Sequence, residues 1–260
     1  MKQMTRVLGL FLCIFTLLTV NALAADAKID TAHAADGYFS VSYPGEASTK
    51  MKIGVTYSGK TTYLNYTPGK EAAYAFEQGN GTYTITLYRN TSGTSYKKVL
   101  QKSAVVQLKN ALVPYLASTV EITFANDDSV SKTAAELCAG LKDDASKVVA
   151  VHNYIAGNFC YNKAFAESVR KGLVKNYTPD TNRILNEKTG VCYDFSALFA
   201  AMCRSQGIPC TLEKGYTSIG YHAWNRVWLN DGWVTLDLTA AVVRKVNTAT
   251  TIAQCAPLAA

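Results

Sequence analysis

Histidine is the scarcest reactive side chain in this 260-residue chain: there are three, His33, His152 and His222, all far apart in sequence. No close pair of histidines or cysteines keeps the spacing that holds zinc, so the sequence predicts neither a metal site nor a bound cofactor. Arginine-rich stripes and nucleic-acid motifs are also missing, which argues against nucleic acid as a partner despite a net charge of +7. Charged residues are only 17% of the chain and hydrophobic ones 48%, a balance that excludes a disordered polymer and describes a globular protein. Internal repeats and low-complexity tracts are absent.

An apolar run long enough to span a bilayer is lacking too. The stretch from Val7 to Val20 holds about 14 residues, short of the ~20 a membrane helix needs. It follows Lys2 and Arg6 and precedes the small-x-small sequence Ala22-Leu23-Ala24, so residues 1–24 read as a signal peptide cleaved before Ala25. Cleavage predicts a protein that is secreted or held at the cell surface, with no stable membrane insertion. It leaves 24 basic and 19 acidic residues, a net charge of +5 that suits an anionic cell-envelope component as surroundings or partner. Cys13 falls inside this segment and lacks the small residues that precede a lipid-attachment cysteine. Six cysteines remain: Cys138, Cys160, Cys192, Cys203, Cys210 and Cys255. An even number in an exported protein suits disulfides, but a free Cys192 leaves five and at least one more unpaired. Cys203 and Cys210 are near enough in sequence to meet across a helix-to-strand turn; they fit equally well as two small buried apolar side chains.

From Tyr38 to Leu108 the chain alternates with period two, as in Phe39–Tyr43, Met51–Tyr57 and Thr82–Tyr88, which means strands with one buried face. Turn residues at Pro44-Gly45, Ser58-Gly59, Pro68-Gly69, Gly79-Asn80-Gly81 and Ser92-Gly93 divide the segment into six or seven short strands. That is the profile of a small immunoglobulin-like β-sandwich over 25–110. A connector at 111–130 follows, with Val120–Phe124 as a further strand. The pattern Thr133-Ala134-Ala135-Glu136 matches a capping box, with Leu137 and Leu141 as its helix's apolar stripe. A second helix starts near Asp143-Asp144 and buries Val148, Val151, Ile155 and Phe159 at helical spacing, with His152 at the edge of that face. A short helix over Ala164–Lys171 and another capped by Asp180 lead to Gly190.

The chemistry lies beyond. Phe195, Leu198, Phe199 and Met202 recur with helical period up to Gly207, so Cys192 sits in the first turn of a mostly buried helix. The unpaired amides and partial positive charge of a helix start stabilise thiolate over thiol, and the same amides can cradle an oxyanion, the Cys192 N–H among them. A thiolate in acyl transfer needs a group that takes and returns a proton, and His222, which opens the strand-like run Ala223–Leu229, is the natural base. Asp237 ends the returning strand Trp233–Leu236 and completes a Cys-His-Asp order. A hairpin turn at Asp231-Gly232 places Asp237 opposite Arg226, on the same sheet face as His222 but four residues away, about 13 Å at strand rise. In that register a bulge or a strong curl has to bring the two together.

The stretch from Asp143 to Thr239 resembles the transglutaminase-like superfamily. The resemblance rests on Val148, Tyr154, Ile155 and Tyr161, on Gly190-Val191-Cys192-Tyr193-Asp194-Phe195-Ser196 running into Leu198–Pro209, on His222-Ala223-Trp224, and on Trp233 with Asp237-Leu238-Thr239. It implies an α+β fold, a papain-like catalytic domain over 131–260 behind the sandwich, and a triad of Cys192 as nucleophile, His222 as base and Asp237 as its orienting carboxylate. Tyr193-Asp194 departs from the polar residues many members carry there, a change expected to act on substrate fit. The resemblance does not place the second oxyanion donor. The expected activity is attack on a peptide or glutamine amide to give a thioester, resolved by water in a protease or deamidase, or by an amine in a transglutaminase. A different class of function, a cell-surface binding protein with a vestigial triad, remains the alternative.

Overall fold

A computed structural model describes residues 26–174, 177–218 and 220–244. The expected signal peptide and Cys255 lie outside the described residues. The chain divides into two compact units, 1–111 and 112–260.

Apart from a 3-10 turn at Ala34–Asp36, the first unit is built of antiparallel strands: β1 (Lys28–Asp30), β2 (Tyr38–Ser42), β3 (Met51–Tyr57), β4 (Lys60–Tyr66), β5 (Ala72–Ala75), β6 (Gly81–Ser92) and β7 (Ser95–Val106). They form a three-stranded sheet in the order β1-β2-β5 and a four-stranded sheet in the order β4-β3-β6-β7. Alternation puts Phe39, Val41, Ile53, Tyr83, Ile85 and Leu87 in the interior. Phe76 bridges the sheets, with its ring 5.0 Å from Phe39 and 4.7 Å from Tyr83. Strands β6 and β7 run to 12 residues each, longer than the short strands expected, because Ser92-Gly93 is a hairpin tip and neither strand is broken before it. Lys97, Lys98 and Lys102 on the edge strand β7 discourage pairing with another chain.

The second unit is mixed. In chain order come α1 (Ser129–Cys138), α2 (Asp144–Asn158), β8 (Cys160–Tyr161), α3 (Lys163–Arg170), α4 (Thr181–Glu187), β9 (Thr189–Gly190), α5 (Cys192–Ser205), β10 (Glu213–Thr217), β11 (Gly220–Leu229), β12 (Gly232–Leu236) and α6 (Leu238–Arg244). Every residue of α5 from Asp194 to Arg204 is buried, so this helix is the centre of the unit. Helices α1, α2, α4 and α6 and strand β11 all pack on it. Asp143 and Asp180 cap α2 and α4 as their sequence positions predict, accepting from Ser146 N at 2.8 Å and Arg183 N at 3.0 Å.

Two local expectations give way. Val120–Phe124 forms no strand: Thr119 and Ile122 exchange backbone hydrogen bonds of 2.9 and 3.1 Å, closing a tight turn that drives Ile122 into the core. Helix α1 begins at Ser129, four residues before Thr133, because Asp128 caps it by accepting from Ser131 N at 2.8 Å. Its buried face is therefore Val130, Ala134 and Cys138, and Leu141 lies beyond it, 36% exposed.

Candidate active site

Cys192 is the first residue of α5, and Val191 before it is extended. The local fold is fixed by Asp194, whose buried carboxylate reaches back to accept from Val191 N at 2.9 Å. This is the acidic half of a capping box, and it holds the chain entering the helix in one conformation. The same carboxylate accepts from the Tyr177 hydroxyl, which in turn accepts from Arg183 Nη2 at 2.7 Å. Burial, the largest effect, raises the Asp194 pKa, while the bonds from Tyr177 and Val191 partly offset it. Gly190 makes the bend possible: a Cβ there would lie 2.6 Å from the Asp194 Cβ. Asp194, expected to influence substrate fit, is instead an interior brace of the turn that leads into Cys192. Its position three residues into the helix after Val191 is the sequence signal that marks this role.

His222 stands on β11 with 6% of its surface exposed, paired in register with Gly215 of β10. Because Gly215 has no side chain, the Trp224 ring lies against it; a Cβ there would meet the ring at 3.0 Å. Trp224 is thereby held beside the imidazole, ring centres 6.4 Å apart and tilted by 25°. Strand β11 itself is tied to α5 by the fully buried Asn225, whose Nδ2 donates to Ser196 O at 2.9 Å and to Thr211 O at 2.7 Å. Sequence reasoning passed over Asn225, although a polar residue among the inward-facing Ala223, Val227 and Leu229 is the signal for such a tie.

The β11–β12 hairpin corrects the expected register. The turn residues are Asn230 and Asp231, with φ of 49° and 62°, not Asp231 and Gly232. Leu229 pairs with Gly232 and Asn225 with Leu236, which puts Asp237 one step beyond β12, level with Trp224 and diagonal to His222. Moving the turn back by one residue shifts each pairing by two, and no bulge is required. The observed register also pairs Val227 with Val234 and Trp228 with Trp233, the two indoles 5.3 Å apart, in place of unlike partners.

Asp237 Oδ2 lies 3.0 Å from His222 Nε2. Its other oxygen accepts from Thr239 N at 3.0 Å and Ala240 N at 3.2 Å in the first turn of α6. One carboxylate thus orients the ring and caps a helix. Burial pushes the Asp237 pKa up, but the bonds from His222 and from the two amides outweigh it and hold the group below the ordinary aspartate value. The imidazole also feels the Cys192 side chain, which favours its charged form. The hydrogen bond to Asp237, then the Cys192 side chain, raise the His222 pKa to about 10 against the opposing effect of burial. Of the three residues named from the sequence, His222 and Asp237 are in direct contact, and Cys192 lies near enough to act on the imidazole.

His152 does not join them. It is buried on α2, edge-on to Phe199 at 6.5 Å, and burial lowers its pKa to about 4, so it stays neutral in the core. Cys138, Cys203 and Cys210 are buried free thiols and Cys160 is an exposed one. Around the triad the surface is aromatic. Tyr193 donates to Glu121 Oε1 at 2.6 Å under Lys214, whose Nζ sits 5.0 Å from the ring centre. Tyr216 and Tyr221, 87% and 64% exposed, meet edge to face at the end of the β10–β11 hairpin.

A thiol at a helix start, an imidazole on a neighbouring strand and a carboxylate beyond it are the three groups that a cysteine acyl-transfer site requires. Residues 131–238 match the transglutaminase-like superfamily model, so the chain carries a transglutaminase-like core domain. YebA of Bacillus subtilis strain 168, an uncharacterized protein, is 26% identical over 227 residues, which cover 78% of this chain and 29% of YebA. Kyphoscoliosis peptidase of Mus musculus is 26% identical over 135 residues, 47% of this chain and 19% of the peptidase. The chain spans less than a third of the length of these curated relatives. Among solved structures, a candidate cysteine protease from Cytophaga hutchinsonii has a TM-score of 0.44 at 19% identity, covering 80% of this chain and 81% of its own. A TGase structure has a TM-score of 0.35 at 21% identity over 42% of this chain and 29% of its own.

Proposed function

We propose that this protein is an exported cysteine acyl-transfer enzyme that forms a thioester with an amide of a protein or peptide. The observation that carries the reading is the bond between His222 and Asp237, with the Cys192 side chain acting on the same imidazole. With the proton resting on the ring, the sulfur attacks the amide carbon, and the C–N bond breaks as the imidazolium delivers its proton to the departing nitrogen. The neutral imidazole then removes a proton from the incoming water or amine, which attacks the thioester and releases the thiolate. Asp237 keeps the ring turned toward the sulfur and stabilises its charged form. The first unit is read as an immunoglobulin-like β-sandwich joined to this catalytic domain, and residues 1–24 as the leader that takes the protein out of the cytoplasm, where an envelope protein or peptide is the natural substrate.

Water and amine are separated by one experiment. A glutamine peptide is incubated with the protein, with and without a primary amine, and the products are weighed. Ammonia release with backbone cleavage absent marks a deamidase, amine incorporation a transglutaminase, and shortened peptides a protease. If wild-type protein and Cys192→Ala leave the peptide and a casein substrate equally untouched, the enzymatic reading fails.

A further inference from the structure

Two thiols that the proposed chemistry does not use, Cys203 and Cys210, are fully buried at the junction between α5, which carries Cys192, and β11, which carries His222. Cys203 lies in the last turn of α5. The chain then reverses sharply: Gln206 N and Ile208 N both donate to Cys203 O at 3.0 Å, and Gly207 takes the left-handed conformation, φ 77°, that such a helix end requires. Beyond the turn the backbone is strapped to β11. Trp228 N donates to Pro209 O at 2.9 Å and Thr211 N to Arg226 O at 2.8 Å, which lays Cys210 against Val227 as an antiparallel bridge. From the helix side, Arg204 Nε donates to Cys210 O at 2.9 Å, so the residue after Cys203 grips the backbone of Cys210. Turn, strap and grip thus bring the two cysteines into one apolar core from opposite ends of a short link. Burial, then the Cys210 side chain, push the Cys203 thiol well above its ordinary value, which sets the two sulfurs close enough to act on each other. Cys138 of α1 reaches the same core, and its effect on Cys203 is smaller than that of Cys210.

We infer that Cys203 and Cys210 are joined by a disulfide in the exported protein, a bond that fastens the end of α5 to β11 and leaves Cys192 a free thiol. The inference rests on the exported reading of the chain, because export brings these thiols to an oxidising compartment. The bond forms while the chain folds, before the core closes over both sulfurs, by exchange with a cystine-bearing oxidant of the cell envelope. One cysteine thiolate attacks that cystine and releases one of its sulfurs as a thiolate. The second cysteine then attacks the sulfur of the first, closing the bond and releasing the oxidant's other sulfur. The pair loses two protons and two electrons, and the oxidant's cystine becomes two thiols. Oxidation gives up the long contact of 3.5 Å from the Cys210 thiol to Thr211 O, an oxygen that Asn225 Nδ2 also serves.

The test uses the full chain in two forms, one with its own residues 1–24 and one with a known bacterial secretion leader in their place. Protein recovered from the periplasm of a bacterial host is denatured in iodoacetamide without reductant and digested with trypsin. Cleavage after Arg204 puts Cys203 in the peptide 189–204, together with Cys192, and Cys210 in the peptide 205–214. The expected mass is that of the two peptides joined, with one carbamidomethyl group, on Cys192; reductant separates them. Cys203 and Cys210 both alkylated in the periplasmic protein, or Cys203 linked to Cys138, would overturn the inference. The two leaders keep it distinct from the reading beneath it: if residues 1–24 fail to deliver the chain while the substituted leader delivers it with the bond, the exported reading falls and the pairing stands. Wild-type protein is also expected to unfold at a urea midpoint about 1 M higher without dithiothreitol than with it, whereas the double variant Cys203→Ala with Cys210→Ala has one midpoint in both conditions. A wild-type midpoint that ignores the reductant would show that no such bond fastens α5 to β11.

Discussion

Asp237 divides its two oxygens between a side chain and a helix start, and this division sets the proton chemistry of His222. Because the hydrogen bond to Asp237 is the largest cause of the raised imidazole pKa, Asp237→Asn is expected to move it from about 10 back toward the ordinary value near 6.5. Titration of the His222 ring by NMR reads the shift directly, and an unchanged ring would remove Asp237 from the chain. Linkage gives a second expectation. A histidine that holds its proton more tightly when folded contributes stability that is complete below the unfolded pKa, about 6.5, and is lost as pH rises toward 10. The urea midpoint should therefore fall between pH 7 and 10, and His222→Gln should flatten that fall. The order of thiol, imidazole and carboxylate is legible in the sequence because each sits at a readable place: a helix start after Gly190, the head of a strand, and the end of its hairpin partner. The brace beneath them is less legible. The bond from Tyr177 to Asp194 joins residues whose connection depends on a polar loop folding back, and no local pattern announces it.

At the scale of elements, the site depends on how α5 and β11 are held together. Replacement of Asn225 by Leu removes both of its bonds to buried carbonyl oxygens and leaves Thr211 O with only the Cys210 thiol, and is expected to cost about 1–3 kcal/mol of stability, measured by urea unfolding. A loss below about 0.5 kcal/mol would mean the tie is not structural. Gly190→Ala forces a methyl against Asp194 and is expected to destabilise by about 1–3 kcal/mol while displacing Cys192, so its activity should fall further than its stability accounts for. The hairpin shows where reading elements from sequence stops. Asn-Asp-Gly admits a turn on either of its adjacent pairs, since Asn and Asp tolerate the left-handed region almost as Gly does. Local chemistry leaves that choice open. Cross-strand matching of Val227 with Val234 and Trp228 with Trp233 decides it, and only pairing two strands reveals that preference. Helix α1 carries the same lesson: Asp128 and Thr133 both head plausible caps, and burial of Val130 selects the earlier one.

For the molecule as a whole, strand alternation before Leu108 and helical periodicity after Asp143 make the change from β to mixed texture plain. The segment between them is harder to read, because Tyr115, Ala117 and Ile122 gain their meaning only from what they meet. Tyr115 O accepts from Cys210 N, and Ala117 O accepts from the buried Arg204, so this segment is part of the second unit's framework. All three members of the triad come from the second unit. Removal of residues 26–111 is accordingly expected to leave Cys192 reactivity within about twofold of the full chain, while any loss of activity on large substrates would report a role for the first unit in capture. The central claim is that Cys192 shares its proton with His222. Its most direct measurement is the rate of iodoacetamide labelling at Cys192 near pH 7, resolved by peptide mass. Labelling at least about tenfold faster than at a model thiol is expected, with that advantage lost in His222→Ala. Labelling no faster than the model thiol, or unaltered by loss of the imidazole, would contradict it.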